Sequence, residues 1–186
     1  MANSKPLASQ RILIMATDGF EQSELEVPLE RLQAAGAEVD IASLATGDIT
    51  GWDGDDWGDD VEVDLKIADV NIDDYAALVL PGGQMNPDLL RVEESAVALI
   101  RDFDRAGKSI AAICHAPWLL IEAGLAEGKR LTSYKSIRTD VVNAGAEFVD
   151  EAVVVDGNII TSRCPDALPA FCDAIIEAVA ESRVEA

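Results

Sequence analysis

Residues 109–120 read Ser109-Ile110-Ala111-Ala112-Ile113-Cys114-His115-Ala116-Pro117-Trp118-Leu119-Leu120. The uncharged run of small and β-branched residues up to Ile113 fits a strand buried on both faces of a parallel sheet. Pro117 suits the first turn of a helix, where its missing N–H leaves no orphan and its fixed φ is already helical. The pattern through Ala123 continues that helix, and Gly124 closes it. Cys114 and His115 therefore fall in the sharp turn between strand end and helix start. Open α/β sheets present their chemistry there.

That turn favours a reactive thiol. Free N–H groups and the positive end of the helix dipole stabilise a thiolate, so the expected Cys114 pKa lies below that of an ordinary thiol. The same N–H groups can receive the oxyanion formed when the sulfur attacks a carbonyl. A Cys-His pair without such a context is more often buried and inert. His115 is the only histidine in the chain, so any imidazole that assists the thiol is this one.

Length and composition bound the rest. A chain of 186 residues suits one domain with one sizeable core, expected here over residues 11–186 after a flexible segment 1–10. No apolar run is long enough to span a bilayer, and the start lacks the basic-then-apolar plan of a signal peptide. Three cysteines, Cys114, Cys164 and Cys172, show no metal-ligand spacing, which suits reduced thiols in a cytoplasm. No metal or other cofactor is implied. The net charge of −21, from 35 acidic and 14 basic residues, opposes binding to nucleic acid or to an anionic membrane. An acidic, lysine-poor surface also suits a salty cytoplasm, where screening removes the self-repulsion.

In chain order, residues 11–17 predict a first, central parallel strand, and 22–35 an amphipathic helix ending at Gly36. Pro28 lies inside that pattern, so the regular helix either starts near Leu25 or kinks. Residues 38–44 predict a second strand, which makes a right-handed βαβ start. The segment 45–60, ATGDITGWDGDDWGDD, is the least regular part and carries Trp52 and Trp57. It reads as a solvated acidic loop whose tryptophans cover the domain edge, or as a lid beside an active site. As a calcium loop it is poor, because Trp57 takes a ligand position and no bidentate Glu follows. A strand at 76–80 runs into Pro81-Gly82-Gly83, glycines that let backbone approach a ligand. One helical turn at 87–90 and a helix at 93–106 precede the Cys114 turn. A strand at 131–134, a helix at 136–144, strands at 148–149, 153–156 and 158–162, and a closing helix at 165–182 complete the chain. The expected fold is α/β: a three-layer sandwich, a mainly parallel flavodoxin-like sheet with helices on both faces.

The elbow AAICHAP, the turn LPGG, the opening DGFEQSELEVP, the stretch LTSYKSIRTDVVNAGAEFVDEAVVVDGNIITSR and the closing PDALPAF together resemble the ThiJ/PfpI family. That family holds protease I, protein deglycases and general stress proteins, within the class I glutamine-amidotransferase-like superfamily. The resemblance covers nearly the whole chain, and the loop GWDGDDWGDD is similar to the general-stress-protein branch. It implies Cys114 as nucleophile and His115 as general base, with Gly83 and His115 giving N–H groups to an oxyanion hole. Glu24 would set a carboxyl group against the sulfur, with Glu21 on the same helix-start face. Tyr134 matches the tyrosine that lines the pocket, and Gly82, Arg163 and Cys164 fall in loops near it. Asp88 occupies the place of a carboxylate that protease-type members supply from a neighbouring subunit, most often as Glu.

Three functions are then in view. One is a stress enzyme acting on small reactive carbonyls through Cys114, by deglycation or glyoxalase-like hydration. Another is a peptidase using Cys114, His115 and Asp88. The last is a redox sensor or chaperone in which Cys114 is oxidised. Glutaminase chemistry of the superfamily needs a second histidine, which this chain lacks. The resemblance implies a homodimer or a higher homo-oligomer.

Overall fold

The computed structural model describes residues 5–185, with side chains to residue 182. Its first half holds β1 (Arg11–Met15), β2 (Phe20–Glu21), α1 (Gln22–Ala34), β3 (Glu38–Ser43), β4 (Gly47–Asp53), β5 (Asp56–Val63), β6 (Leu65–Lys66) and β7 (Ala77–Leu80). Then come α2 (Met85–Leu90), α3 (Glu94–Arg105), β8 (Ser109–Ile113), α4 (Pro117–Glu122), β9 (Arg130–Leu131) and α5 (Arg138–Asn143). The chain ends with β10 (Glu147–Phe148), β11 (Val153–Asp156), β12 (Ile159–Ser162) and α6 (Leu168–Glu185).

The central sheet has seven strands in the order β11-β12-β8-β7-β1-β3-β6. All neighbours pair in parallel except β11 and β12, which form a hairpin around Asp156-Gly157. The apolar runs of β1, β7 and β8 are unbroken because both faces are covered, and successive side chains supply two separate cores. Leu13, Leu78 and Ile110 pack with Ile100, Phe103 and Leu119 on one face. Ile12, Val79 and Ala111 pack with Leu25, Leu32 and Phe171 on the other. Truncating Phe103 or Phe171, both fully buried, to Ala would cost about 3–5 kcal/mol. The three-layer sandwich is therefore the observed architecture. From β1 the chain fills one side with β3 and β6, then crosses to β7, β8 and β12. The order reverses between β1 and β7, and the crevice at their carboxyl ends is the natural site.

Several expectations need correction. The segment 45–60 is not a loop but most of an antiparallel hairpin, β4–β5, whose β4 also pairs with β2. Its faces are mostly polar and exposed, so no alternating apolar signal marked it, and only the Asp53-Gly54 turn is visible in sequence. The first helix is regular from Gln22, with Pro28 inside it. The strand expected at 131–134 stops at Leu131, because Tyr134 N–H donates to the Cys114 carbonyl at 2.7 Å. Of the segment expected to be flexible, residues 1–4 lie outside the described residues. Residues 5–10 pack onto the domain, with Leu7 fully buried and its N–H bonded to Ala35 O at 3.0 Å.

Candidate active site

Cys114 follows β8 directly with a φ of 64°, in the left-handed region that a residue with a Cβ seldom adopts. Its N–H donates to Ser162 O at 3.0 Å, and its carbonyl accepts from Tyr134 N–H. These two bonds hold the turn against its strain. The reversal from strand to α4 leaves the thiol at the carboxyl end of the sheet, 6% exposed.

Two other strand ends meet it. Beyond β7, a Cβ on Gly82 would lie 2.7 Å from both the Cys114 Cβ and the Ile113 carbonyl, so only glycine lets the chains approach. Gly82 N–H donates to Glu24 Oε2 at 2.8 Å, which fixes that carboxyl group at the start of α1. Asn86, fully buried and not anticipated from the sequence, ties the loops together. Its Oδ1 accepts from Thr17 N–H at 2.8 Å, and its Nδ2 donates to the Pro81 and Gly82 carbonyls at 2.9 and 3.1 Å. Nothing but an Asn in the turn after LPGG advertises that role.

Protonation follows from this packing. Burial, and then the Glu21 charge, raise Glu24 from 4.5 to about 8, against the Gly82 N–H, which favours the ionised form. Its Oε1 is buried with no hydrogen-bond partner. The Cys114 side chain and this carboxyl group act on each other's proton affinity, so the two are neighbours. The expected lowering of the Cys114 pKa is corrected: desolvation and an ionised Glu24 push the thiol up, while the N–H groups of Gly83 and His115 pull it down. Thiol and carboxyl thus compete for one proton. With that proton on Glu24, the carboxyl ceases to repel a thiolate and donates to it.

His115 Nδ1 lies 3.2 Å from Cys114 Sγ, and Nε2 lies 3.1 Å from Ser136 Oγ. Burial lowers the imidazole pKa from 6.5, so the ring is neutral near pH 7. With Ser136 Oγ accepting from Nε2–H, the Nδ1 lone pair faces the thiol. Ser136 too was missed in sequence, where it reads as an ordinary helix-start serine. The ring stacks on Tyr134 at 4.9 Å and meets Trp118 at 5.2 Å.

The DJ-1/PfpI family model matches residues 10–178, which span this whole arrangement. The chain belongs to the DJ-1/PfpI family. It is 47% identical to a deglycase of Thermococcus kodakarensis, covering 87% of this chain and 94% of the relative. It is 44% identical to protein/nucleic acid deglycase 2 of Escherichia coli, covering 88% and 94%. The fold superimposes on the crystal structure of Drosophila melanogaster DJ-1beta with a TM-score of 0.84 and 34% identity, covering 95% of this chain and 94% of that one.

In this DJ-1/PfpI chain the remaining sequence-predicted residues spread over a wider area. Glu21 sits beside Glu24 on the helix-start face, its pKa raised by burial and by Asp53 of the hairpin. Trp52 pairs in register with Glu21, and its ring meets Trp57 edge-on at 5.6 Å. Trp57 is 52% exposed at the hairpin end, away from the elbow's own contacts. Asp88 is exposed on α2, and no hydrogen bond or ion pair joins it to His115 within the chain. Arg163 donates to Asp150 at 2.8 Å and, with Tyr134 and Cys164, lines a cavity of about 470 Å³ next to the elbow. Among the described residues, no helix is long and apolar enough to cross a membrane.

Proposed function

We propose that this chain is a cysteine-dependent enzyme acting on reactive carbonyls, by deglycation or glyoxalase-like hydration, with Cys114 as nucleophile. One observation carries the reading: Sγ lies 3.2 Å from a neutral imidazole nitrogen, beside a carboxyl group that keeps its proton up to about pH 8. A base for the thiol and an acid for the new oxygen are both in place.

The thiol proton passes to His115 Nδ1 as the S–C bond forms. The carbonyl π pair moves onto oxygen, which the Gly83 and His115 N–H groups can receive, and Glu24 gives its proton to yield a hemithioacetal. An aminocarbinol enters the same adduct, its amine leaving with the proton held on His115. In an α-oxoaldehyde adduct, the Glu24 carboxylate takes the hydrogen on the sulfur-bearing carbon as a proton, while protonated His115 gives its proton to the adjacent ketone oxygen, and an enediol forms. Glu24 then returns its proton to that adjacent carbon as His115 takes one back from the first hydroxyl, whose oxygen becomes the thioester carbonyl. Water hydrolyses the resulting thioester, frees the thiol and releases a 2-hydroxy acid. The net change is aldehyde plus water to hydroxy acid.

The peptidase alternative needs Asp88 of a second copy to orient a histidine whose Nε2 already has Ser136. That favours the carbonyl reading. Met85 and Leu89, apolar and exposed, flank Asp88 on α2, so a homodimer is expected across that helix. The deciding assay compares methylglyoxal consumption, peptide cleavage and intact mass after mild peroxide in the wild type and Cys114→Ser. Loss of methylglyoxal turnover in Cys114→Ser is the expected result. Turnover that survives the substitution overturns the reading, and oxidation of Cys114 without any turnover supports a redox sensor instead.

A further inference from the structure

We propose that the cavity beside Tyr134 is an oxyanion subsite, so that the preferred substrates are carbonyl compounds carrying a carboxylate or phosphate group. The proposal rests on the carbonyl reading and extends it to substrate class.

Charge is the first argument. The chain has 14 Lys and Arg against 35 Asp and Glu, yet Lys135, Arg138 and Arg163 all line this one cavity. A protein of net charge −21 repels anions at long range, so a local cationic cluster is the way to hold one. Only Asp150 answers it from the wall, and that carboxylate is engaged with Arg163 at 2.8 Å. Among the described residues, neither Lys135 nor Arg138 has an ion-pair partner. The Arg138 guanidinium lies 5.3 Å from the Phe148 ring centre, which orients its donors without neutralising them. Arg163 Nε is itself buried with no hydrogen-bond partner, so one donor of the cluster is unanswered within the chain.

Continuity with the elbow is the second argument. Tyr134 lines the cavity, stacks on His115 at 4.9 Å and bonds the Cys114 carbonyl through its N–H. Arg163 directly follows Ser162, whose carbonyl accepts the Cys114 N–H. Cavity and nucleophile therefore share two backbone anchors. A substrate with its oxyanion among Lys135, Arg138 and Arg163 can pass Tyr134 and present its carbonyl to Sγ. A volume of about 470 Å³ lies within the usual range for small-molecule sites.

The test uses the full-length protein and the double variant Lys135→Gln/Arg138→Gln, both shown folded by circular dichroism. Two α-oxoaldehydes, 4,5-dioxopentanoate with its carboxylate and 2-oxo-4-phosphonobutanal with a phosphate-like group, are compared with neutral methylglyoxal and phenylglyoxal. The double variant should lower the anionic-to-neutral ratio of kcat/KM on the order of ten-fold or more, through KM. Whichever anionic aldehyde loses more identifies the group, carboxylate or phosphate. Calorimetric titration with inorganic phosphate and with acetate reads the subsite without turnover: the wild type should bind at least one, and the double variant should not. If no aldehyde is consumed but charge-dependent anion binding remains, the carbonyl reading falls and the subsite stands. An unchanged ratio, or a wild type that binds neither anion, overturns the subsite.

Discussion

Glu24→Gln, made in a Cys114→Ser background so that no thiol titrates, should change how stability depends on pH. The folded-state pKa of Glu24, about 8, is raised above its ordinary 4.5. As pH rises from 4.5, the unfolded chain releases this proton first while the folded chain keeps it. Stability contributed by the neutral carboxyl is therefore full below pH 4.5 and falls steadily until about 8. Each pH unit in that window is worth about 1.4 kcal/mol, so by neutral pH the loss is about 3 kcal/mol. Gln keeps an acceptor for Gly82 N–H and does not titrate. Urea unfolding, followed by tryptophan fluorescence at constant KCl from pH 4.5 to 7, gives the difference between the two proteins. That difference should move by about 3 kcal/mol in favour of Gln, since every other acid is common to both. A difference constant to within about 0.5 kcal/mol would refute the buried neutral carboxyl. Repeating the pair with Cys114 restored is informative in turn. If the slope then vanishes, the sulfur and not the carboxyl releases the pair's first proton.

Asn86→Ala breaks three buried hydrogen bonds at once, and should cost about 2–4 kcal/mol in urea unfolding while lowering turnover; a loss under about 1 kcal/mol would show that the loops hold without it. Ser136→Ala frees His115 Nε2, and should lower kcat roughly ten-fold with little change in KM, rescued by Ser136→Thr; an unchanged pH–kcat profile would mean that the tautomer is set elsewhere. With a net charge of −21, the melting temperature should rise with KCl from about 0.1 M to about 2 M; a flat or falling series would remove the argument for a salt-adapted surface.

What was legible in the sequence is what local chemistry alone dictates. Pro117 and the uncharged run before Cys114 announced strand, turn and helix, and each formed where expected. The paired glycines of LPGG announced a close approach, and Gly82 indeed has no room for a side chain. The hairpin β4–β5 was invisible for the opposite reason. It buries little, so its register comes from backbone pairing and from Gln22, whose side chain both donates to and accepts from Asp59 at α1. Asn86 and Ser136 act through partners far off in sequence, and no spacing rule brings such partners together. The direction of the Cys114 shift failed because a dipole argument counts favourable groups at the turn and omits the desolvation that the completed fold imposes.

On the proposed reading, the arrangement of Glu24 lets a buried, acid-flanked thiol serve as the nucleophile. An isolated thiolate at 6% exposure would have to be stabilised by N–H dipoles alone. Here the carboxyl is desolvated by the same packing, and Glu21 behind it raises its proton affinity further. Each turn of burial that disfavours the thiolate also disfavours the carboxylate, so the two penalties compete instead of adding. Only one negative charge has to be carried by the pair, and two N–H groups aimed at sulfur bias where it settles. In the proposed reaction a substrate carbonyl that draws the charge onto its own oxygen would relieve the pair, with Glu24 holding the proton that neutralises that oxygen.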